Sequence, residues 1–488
     1  MLNSNATGRN ETVAWWQPIL FAAMAGGMAW GIRGQYGHET GAMIAGLLVS
    51  LTLVLLFCRG QKPLALARAA AWGTVGMGIG GSMTYGQTVG LTHDAAMIGD
   101  LLALRWGMIG LAVKGGLWIG FGGLFLGMGL GGVRYRWREM LGLMLALVGA
   151  YYIGLQLLNS PFNPAEKELP ALYFSASWHW QPQAENLKPR PECWGGLLFA
   201  LVTALAYTRW WRKDGLAFRM GLWGVVGGMI GFPAGQSLQA FHAWHREAFQ
   251  QGFWATFDSH INWWNMMETT FGAVMGATLG FGLWLNRWRI RPAEETAARE
   301  LPPAGEILLL ALHLPLLVAV EFMSINAVDS VYDWGIIMAI IPITGIAGGL
   351  YWPYAVLFPV TLLPIAGKTV RQLVYNESAI SPAAGWLIYF IIPMVIAVAA
   401  SVYCIRQAAT VGKGRDFPRR ALLLAAWMYF LLNYAFFRFP WPWAQWTSRT
   451  PNGIIFTVCV IGLTILAVME SRKTPAEAPV KAPAAESE

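Results

Sequence analysis

The 488-residue chain is too apolar for a water-soluble protein: 56% of its residues are hydrophobic and only 12% are charged. Stretches long enough to cross about 30 Å of hydrocarbon recur from one end of the chain to the other. They are uniformly apolar, whereas the strands of a membrane β-barrel alternate apolar and polar residues, so a barrel is excluded. The composition predicts an all-α polytopic membrane protein.

We predict about fourteen transmembrane helices, and the stretch 91–131 leaves room for an extra half-helix. In chain order the predicted spans are 17–32, 41–58, 69–86, 107–131, 139–158, 194–210, 217–235, 264–285, 305–323, 334–350, 353–367, 384–405, 420–437 and 453–470.

The chain divides into a glycine-rich half and a more conventional half. Residues 1–290 form the first half, with four predicted helical hairpins at 17–58, 69–131, 139–210 and 217–285. A polar cytoplasmic linker, 291–304, precedes a second membrane half, 305–470. The Pro/Ala/Glu-rich tail, 471–488, is predicted to be disordered.

The net charge of +8 has a topological explanation. Lys and Arg cluster in alternate short loops, and by the positive-inside rule that side is the cytoplasm, which puts both termini there. Basic loops also attract nucleic acids or anionic lipids, but their alternation with the spans favours topology. We therefore expect the lipid bilayer of a bacterial cytoplasmic membrane as the partner, and no nucleic acid.

An internal repeat is the most informative pattern in the chain. Three glycine-rich apolar segments run into the dipeptide Gly-Gln, and a histidine follows each time. The returning segments also resemble each other around Glu39 and Glu268, and all copies point the same way, which predicts parallel hairpin repeats. The three sets are Gly34-Gln35 with His38, Gly86-Gln87 with His93, and Gly235-Gln236 with His242.

Glycines spaced four residues apart, such as Gly76/Gly80 and Gly272/Gly276, recur in the same half. Glycine lets helix backbones approach closely in lipid, so this spacing predicts a tightly packed bundle. A glycine-lined conduit is the alternative.

Ionisable groups in or beside the spans are costly, so each is a candidate functional residue. Arg33 and Glu39 flank the first hairpin tip, where they either pair with each other or leave Arg33 to bind an anionic group. Lys114 lies among apolar neighbours and needs a carboxylate; the candidates are Asp100, Glu39 and Glu268. The predicted proton-coupling residues are His38, Glu39, His93, Asp94, Lys114 and His242.

Glu268 is the strongest single candidate, because a carboxylate at the start of a glycine-rich span needs a reason and is stabilised there by the helix dipole. The three glutamines either bind a polar solute or end their helices by satisfying frayed carbonyls. His242 and His245 share a helical face with Glu268 or Asp258 nearby, but the spacing is weak and we predict no metal site. The four cysteines are scattered, so neither a disulfide framework nor a thiolate metal site is predicted, and we expect no cofactor.

Sequence motifs for ATP hydrolysis, α/β-hydrolase chemistry, dinucleotide binding and zinc proteolysis are all absent. The favoured hypothesis is a secondary transporter or permease for a small polar or anionic solute, bound at the extracytoplasmic ends of the hairpins. The predicted binding residues are Arg33, Gln35, Gln87, Gln236 and Glu268.

The alternative is a membrane-embedded transferase acting on a lipid-linked or sugar substrate at the outer face. Glu268, Glu39 or Asp94 would then be the general base, Arg33 would hold a phosphate, and the outer loop 159–193 would form a lid. A structural or assembly subunit is a third possibility. Whether the protein is an enzyme, and its oligomeric state, do not follow from the sequence.

Overall fold

The computed structural model describes residues 13–34, 36–37, 39–175, 189–291, 299–323, 325–410, 416–436 and 446–472. Within these ranges the chain is helical, apart from turns and one isolated β-bridge between Asn163 and Glu168. The all-α class expected from the composition is confirmed.

The first half contains eleven α-helices among the described residues. They are α1 (Trp16–Arg33), α2 (Glu39–Phe57), α3 (Pro63–Ile79), α4 (Gly86–His93), α5 (Leu101–Leu130), α6 (Trp137–Leu158), α7 (Trp194–Ala206), α8 (Gly215–Trp244), α9 (Arg246–Phe249), α10 (Gly252–Phe257) and α11 (Trp263–Leu285). A π-helical turn, Tyr207–Trp211, extends α7, and 3₁₀ turns occupy Gly80–Ser82, Ala95–Met97, Pro164–Glu166, Asp258–His260 and Arg287–Arg289.

The second half contributes nine further α-helices to the described chain. They are α12 (Pro303–Phe322), α13 (Asn326–Asp333), α14 (Ile341–Gly348), α15 (Trp352–Ala355), α16 (Thr361–Val370), α17 (Pro382–Trp386), α18 (Ile392–Ala409), α19 (Phe417–Phe436) and α20 (Thr450–Arg472). π-Helical segments at Ile336–Ile340, Val356–Val360, Arg371–Asn376 and Leu387–Ile391 join several of them.

Local sequence explains where the longest helices begin. The side chain of Asp100 accepts hydrogen bonds from the backbone N–H groups of Leu102 and Ala103 and so caps α5. Asp214 caps α8 and Asn262 caps α11 in the same way. Each cap satisfies N–H groups that the helix itself leaves without acceptors.

Six helices of the first half form a closed ring in which each packs against the next: α1, α2, α3, α5, α8, α11 and back to α1. The ring takes two helices from each of three predicted hairpins. The remaining pair, α6 and α7, packs outside it against α5 and α14. That the hairpins are copies of one repeat stays a prediction.

Glycines bring the ring helices into backbone contact. A Cβ atom on Gly26 of α1 would overlap the carbonyl of Gly272 on α11, and a Cβ on Gly228 of α8 would overlap the carbonyl of Gly115 on α5. Since apolar area alone gives helices no drive to associate in lipid, such close approach is what stabilises the ring. The predicted tight packing is therefore present at these crossings.

The described residues of the fourteen predicted segments are mostly helical, but fewer segments meet the length and hydropathy of a membrane span. Eight helices of the described residues do so, or nine if α13 and the 336–348 helix form one bent span. α3 and α7 have only 17 and 13 residues, whereas a span needs about 20. The structure supports a membrane-embedded protein, and the number fourteen stays a prediction.

The basic loops meet at one end of the bundle. Arg134 lies 2.7 Å from Glu300, and Arg68 donates to the backbone oxygen of Gly349. The described end of the predicted linker docks here too, since the N–H of Glu300 donates to the oxygen of Gly348. The positions of the chain termini across the membrane stay a prediction.

Candidate functional site

A buried ion pair occupies the interior of the ring. The guanidinium of Arg33, at the end of α1, lies 3.1 Å from the carboxylate of Glu268, in the first turns of α11. Their side chains are 2% and 1% exposed, so neither charge reaches solvent in this conformation. Tyr85 joins both residues, with its hydroxyl 2.6 Å from Nη1 of Arg33 and 3.2 Å from Oε1 of Glu268.

Hydrogen-bond donors and aromatic faces compensate for the burial of this pair. Trp264 Nε1 donates to Glu268, and the Asn265 amide lies within reach of the same carboxylate while donating to the oxygen of Gly31. The Arg33 guanidinium lies 4.9 Å from the ring centre of Trp118, and close to Trp30 and Tyr85 as well. A desolvated cation over aromatic faces gains about 2 kcal/mol.

Of the two interpretations of Arg33, pairing with Glu39 across the turn is not what the structure shows, because Arg33 pairs with Glu268. Arg33 points into the ring toward Glu268, whereas Glu39 accepts a hydrogen bond of 2.9 Å from the hydroxyl of Tyr332 in α13. The turn itself is held by the second half, since Lys368 of α16 donates to the backbone oxygen of Tyr36.

Lys114 has a partner that the sequence analysis did not consider. Its Nζ lies 2.8 Å from the Glu192 carboxylate, and it also donates to the Thr88 hydroxyl and the Thr84 carbonyl. Glu192 is completed by the N–H of Phe174 and by a neighbouring serine hydroxyl. The expected partners were Asp100, Glu39 and Glu268. Asp100 instead caps α5, Glu39 accepts a hydrogen bond from Tyr332, and Glu268 pairs with Arg33.

A cavity of about 430 Å³ lies between the ring, α6, α7 and α13. Its polar wall residues are Ser82, Thr84, Glu192, Cys193, Tyr151, Tyr152, Glu39, Tyr332 and Asp333. Leucine, methionine, isoleucine and valine side chains of α6, α7 and the 336–340 segment form most of the rest. The volume lies in the range of small-molecule sites.

Two interrupted helices meet at this cavity. α3 stops at Ile79, and the chain continues through the 3₁₀ turn Gly80–Ser82 before α4 begins. α13 ends at Asp333, and the next helix leaves at an angle of 57° after Gly335, whose φ of 72° suits glycine. Residues at both breaks line the cavity, and broken helices expose the free backbone groups that transporters use for binding.

The break after α3 separates the cavity from the buried ion pair. Thr84 lines the cavity, while the next side chain, Tyr85, binds Arg33 and Glu268 inside the ring. A shift of this short segment therefore changes both places at once.

The Gly-Gln dipeptides do not play equivalent structural roles. α8 continues eight residues beyond Gln236, and Gly86-Gln87 begins α4 instead of ending α3. The helix-ending interpretation is therefore wrong for these two. The Gln236 amide is buried and donates to the Thr92 hydroxyl, whereas Gln87 accepts from the N–H of Arg190. Gln35 and His38 lie outside the described residues.

The described histidines at the hairpin tips have local partners. His93 contacts the Val89 carbonyl, and Asp94 beside it is exposed. His242 lies 2.8 Å from Asp258 and stacks on Trp263. Glu268 belongs to the Arg33 pair, and the described part of the chain contains no group of three His, Cys, Asp or Glu side chains arranged for a metal ion.

Cys193 provides a chemical test of the cavity. It lines the cavity, whereas Cys58, Cys404 and Cys459 are buried. Cys193 is half-buried, and partial removal of its sulfur from water raises the pKa of the thiol to about 11. We expect slow labelling by methyl methanethiosulfonate at pH 7, with a rate that rises about tenfold per pH unit as the thiolate forms. Mass spectrometry of peptides measures this, and a pH-independent rate or preferential labelling of Cys58 would contradict the placement.

No known protein family, curated protein or solved structure matches the chain.

Arg33, Glu268 and Lys114 were predicted from the sequence as site residues, whereas Tyr85, Glu192 and Tyr332 were not. An uncharged tyrosine carries no burial cost that would flag it, and Glu192 follows a loop that reads as solvent-exposed. An unpaired lysine in a span was the one available signal for a missing carboxylate.

Proposed function

We propose that the protein is a secondary transporter or permease for a small polar solute and that the 430 Å³ cavity is its binding site. The meeting of two interrupted helices at that cavity carries the proposal. Breaks in a helix give binding groups and, at the same time, points where helices rock. The proposal includes a bacterial cytoplasmic membrane, cytoplasmic termini and an origin of the ring from parallel hairpin repeats.

The cavity wall favours a solute that donates hydrogen bonds over an anion. The cation behind its wall, Lys114, binds the lining residues Thr84 and Glu192 and is neutralised by Glu192 at 2.8 Å. Glu39 and Asp333 add acceptor oxygens without a cation at hydrogen-bonding distance among the described residues. A polyol, a sugar or a small ammonium compound fits this wall better than a carboxylate or phosphate does.

The Arg33–Glu268 pair acts in this proposal as the internal latch of the ring. It closes the ring interior above a layer of aromatic side chains, where Trp30 meets Trp118 and Phe271. Because Tyr85 belongs to the break beside the cavity, solute binding at Thr84 has a short mechanical path to the latch. Two packings of such a segment provide the alternating states that transport requires.

The test is solute counterflow in proteoliposomes. A thermal-shift screen of purified protein against sugars, polyols, ammonium compounds, organic anions and nucleotides first selects the solute. We expect Glu39→Gln to lower its counterflow rate at least tenfold, because the amide replaces a charged acceptor at the cavity. Glu166→Gln, on an exposed 3₁₀ turn, is the matched control and should leave the rate unchanged. Wild-type protein that binds a solute without exchanging it across the membrane contradicts transport.

The transferase alternative retains one supporting observation. The α6 side of the cavity is apolar along Met144, Leu147, Val148 and Leu155, which suits the hydrocarbon chain of a lipid-linked substrate. Product formed by detergent-solubilised protein from a prenyl-phosphate sugar, with no vesicle present, would favour this alternative over transport.

A further inference from the structure

The buried face of α12 carries three titratable side chains across a candidate membrane span. Glu306, His313 and Glu321 are 0%, 0% and 5% exposed, although most of the helix faces outward. They are seven and eight residues apart, which at 1.5 Å per residue places them about 10 Å and 12 Å from one another along the helix axis. Ionisable groups in a span are rare and mark ion or proton paths.

His313 is the unusual member of this row. Neither ring nitrogen of His313 has a hydrogen-bond partner among the described residues. The centres of the His313 and Trp352 rings are 5.4 Å apart. The indole N–H of Trp352 also lacks an acceptor in the same part of the chain. Buried polar groups without partners destabilise a fold, so a packing role alone does not explain a histidine at this position.

Each end of the row leads to a charged cluster. Glu306 lies 2.8 Å from Arg299 and accepts from the N–H of Tyr351, at the end where the basic loops gather. Arg68 from α3 faces the same carboxylate. This end of the row therefore connects His313 to the side predicted to be cytoplasmic.

At the opposite end Glu321 leads toward the cavity. It lies 3.9 Å from Lys368 and 3.3 Å from Arg371. Lys368 in turn binds the turn that precedes Glu39, whose carboxylate lines the cavity and accepts from Tyr332. Lys368 and Arg371, from α16 and the π-segment after it, and Tyr332, from α13, are the titratable groups that face this end; none of them forms an ion pair with His313.

Leu317 interrupts the row between His313 and Glu321. It lies on the same face of α12, one turn beyond His313, and is 2% exposed. Pro315 lies between His313 and Leu317 inside the helix. It removes a backbone hydrogen bond there and allows the helix to bend. In this conformation His313 is thus separated from Glu321 by an apolar side chain next to a point where the helix can bend.

We propose that Glu306, His313 and Glu321 form a proton relay along α12, with Leu317 as its gate, and that the proton is the coupling ion of the proposed transport. Water admitted from the Glu306 side delivers a proton to a ring nitrogen of His313, which becomes an imidazolium. Bending at Pro315 withdraws Leu317 and lets water fill the gap of about 12 Å between His313 and Glu321. The imidazolium then releases its N–H proton to that water, a water proton passes to the Glu321 carboxylate, and His313 returns to the neutral form. The inference rests on the proposed function, since the relay ends beside the cavity carboxylate Glu39.

The experiment measures proton entry into proteoliposomes that contain pyranine, driven by a potassium gradient with valinomycin, and needs no solute. Leu317→Ser opens the gate and is expected to raise proton entry severalfold above wild type. The double variant Leu317→Ser/His313→Leu should return to the wild-type rate, because the relay has lost its acceptor. Leu312→Ser, on the lipid-exposed face of the same helix, is the control and should not leak.

Two outcomes overturn the relay: a folded Leu317→Ser protein that does not leak, or a leak that persists in the double variant. If Leu317→Ser does not fold, the relay is tested instead by thiol labelling of His313→Cys, in a protein from which the four native cysteines have been removed. A relay site should react with a small water-soluble methanethiosulfonate faster than Leu317→Cys does, and an unreactive thiol overturns the proposal. If the wild-type protein exchanges solute but Leu317→Ser does not leak, transport is retained and the relay is rejected. If Leu317→Ser leaks but the wild-type protein exchanges no solute, transport alone is rejected.

Discussion

Glu268→Ala is expected to destabilise the protein by about 3–5 kcal/mol, because it removes the carboxylate that lies 3.1 Å from the buried Arg33 guanidinium. Tyr85 would keep one hydrogen bond to Arg33, but a phenol does not neutralise a cation. The measurement is thermal unfolding of the detergent-purified protein, followed by the amount that remains monodisperse after heating.

The double variant Arg33→Met/Glu268→Met separates pairing from packing. Removing both charges abolishes the desolvation cost together with the attraction, so stability should return close to wild type. Asp416→Ala is the control, since the Arg419–Asp416 pair is partly exposed and such pairs contribute about 0–1 kcal/mol. If Glu268→Ala unfolds at the wild-type temperature, Arg33 has another compensating group and the latch is wrongly assigned.

Gly228→Leu is expected to prevent assembly of the ring. A Cβ at this position would already overlap the backbone carbonyl of Gly115, and backbone cannot rotate away as a side chain can. α5, which holds Lys114, would have to separate from α8, which holds Phe232 of the aromatic layer. We expect little or no monodisperse protein by fluorescence-detected size-exclusion chromatography.

The control for this substitution is Gly149→Leu. Gly149 lies on the exposed face of α6, and nothing stands within 4 Å of a Cβ built there. In lipid an added leucine on that face is neutral or favourable. Equal yields of the two variants would show that close approach of α5 and α8 is not what holds the ring together.

Some properties of this protein follow from its sequence alone. Apolar stretches of span length dictate the helical class, because lipid offers the backbone no other partners. Glycines at spacing four indicate close helix crossings, and the cost of burying charge singles out Arg33, Lys114 and Glu268 as residues that need partners. Each of these inferences needs only the identity of residues that are close in sequence and the properties of the lipid that surrounds them.

The tertiary structure alone decided which of these residues meet. Glu268 is 235 residues from Arg33, and Glu192 is 78 residues from Lys114, so no local pattern relates them. The cavity arises where α3 and α13 are interrupted far apart in sequence, and Glu306, His313 and Glu321 share a buried face only because α16 and α14 pack there. The cost of an unpaired charge can be estimated from one residue, but its partner is selected by the packing of the whole bundle.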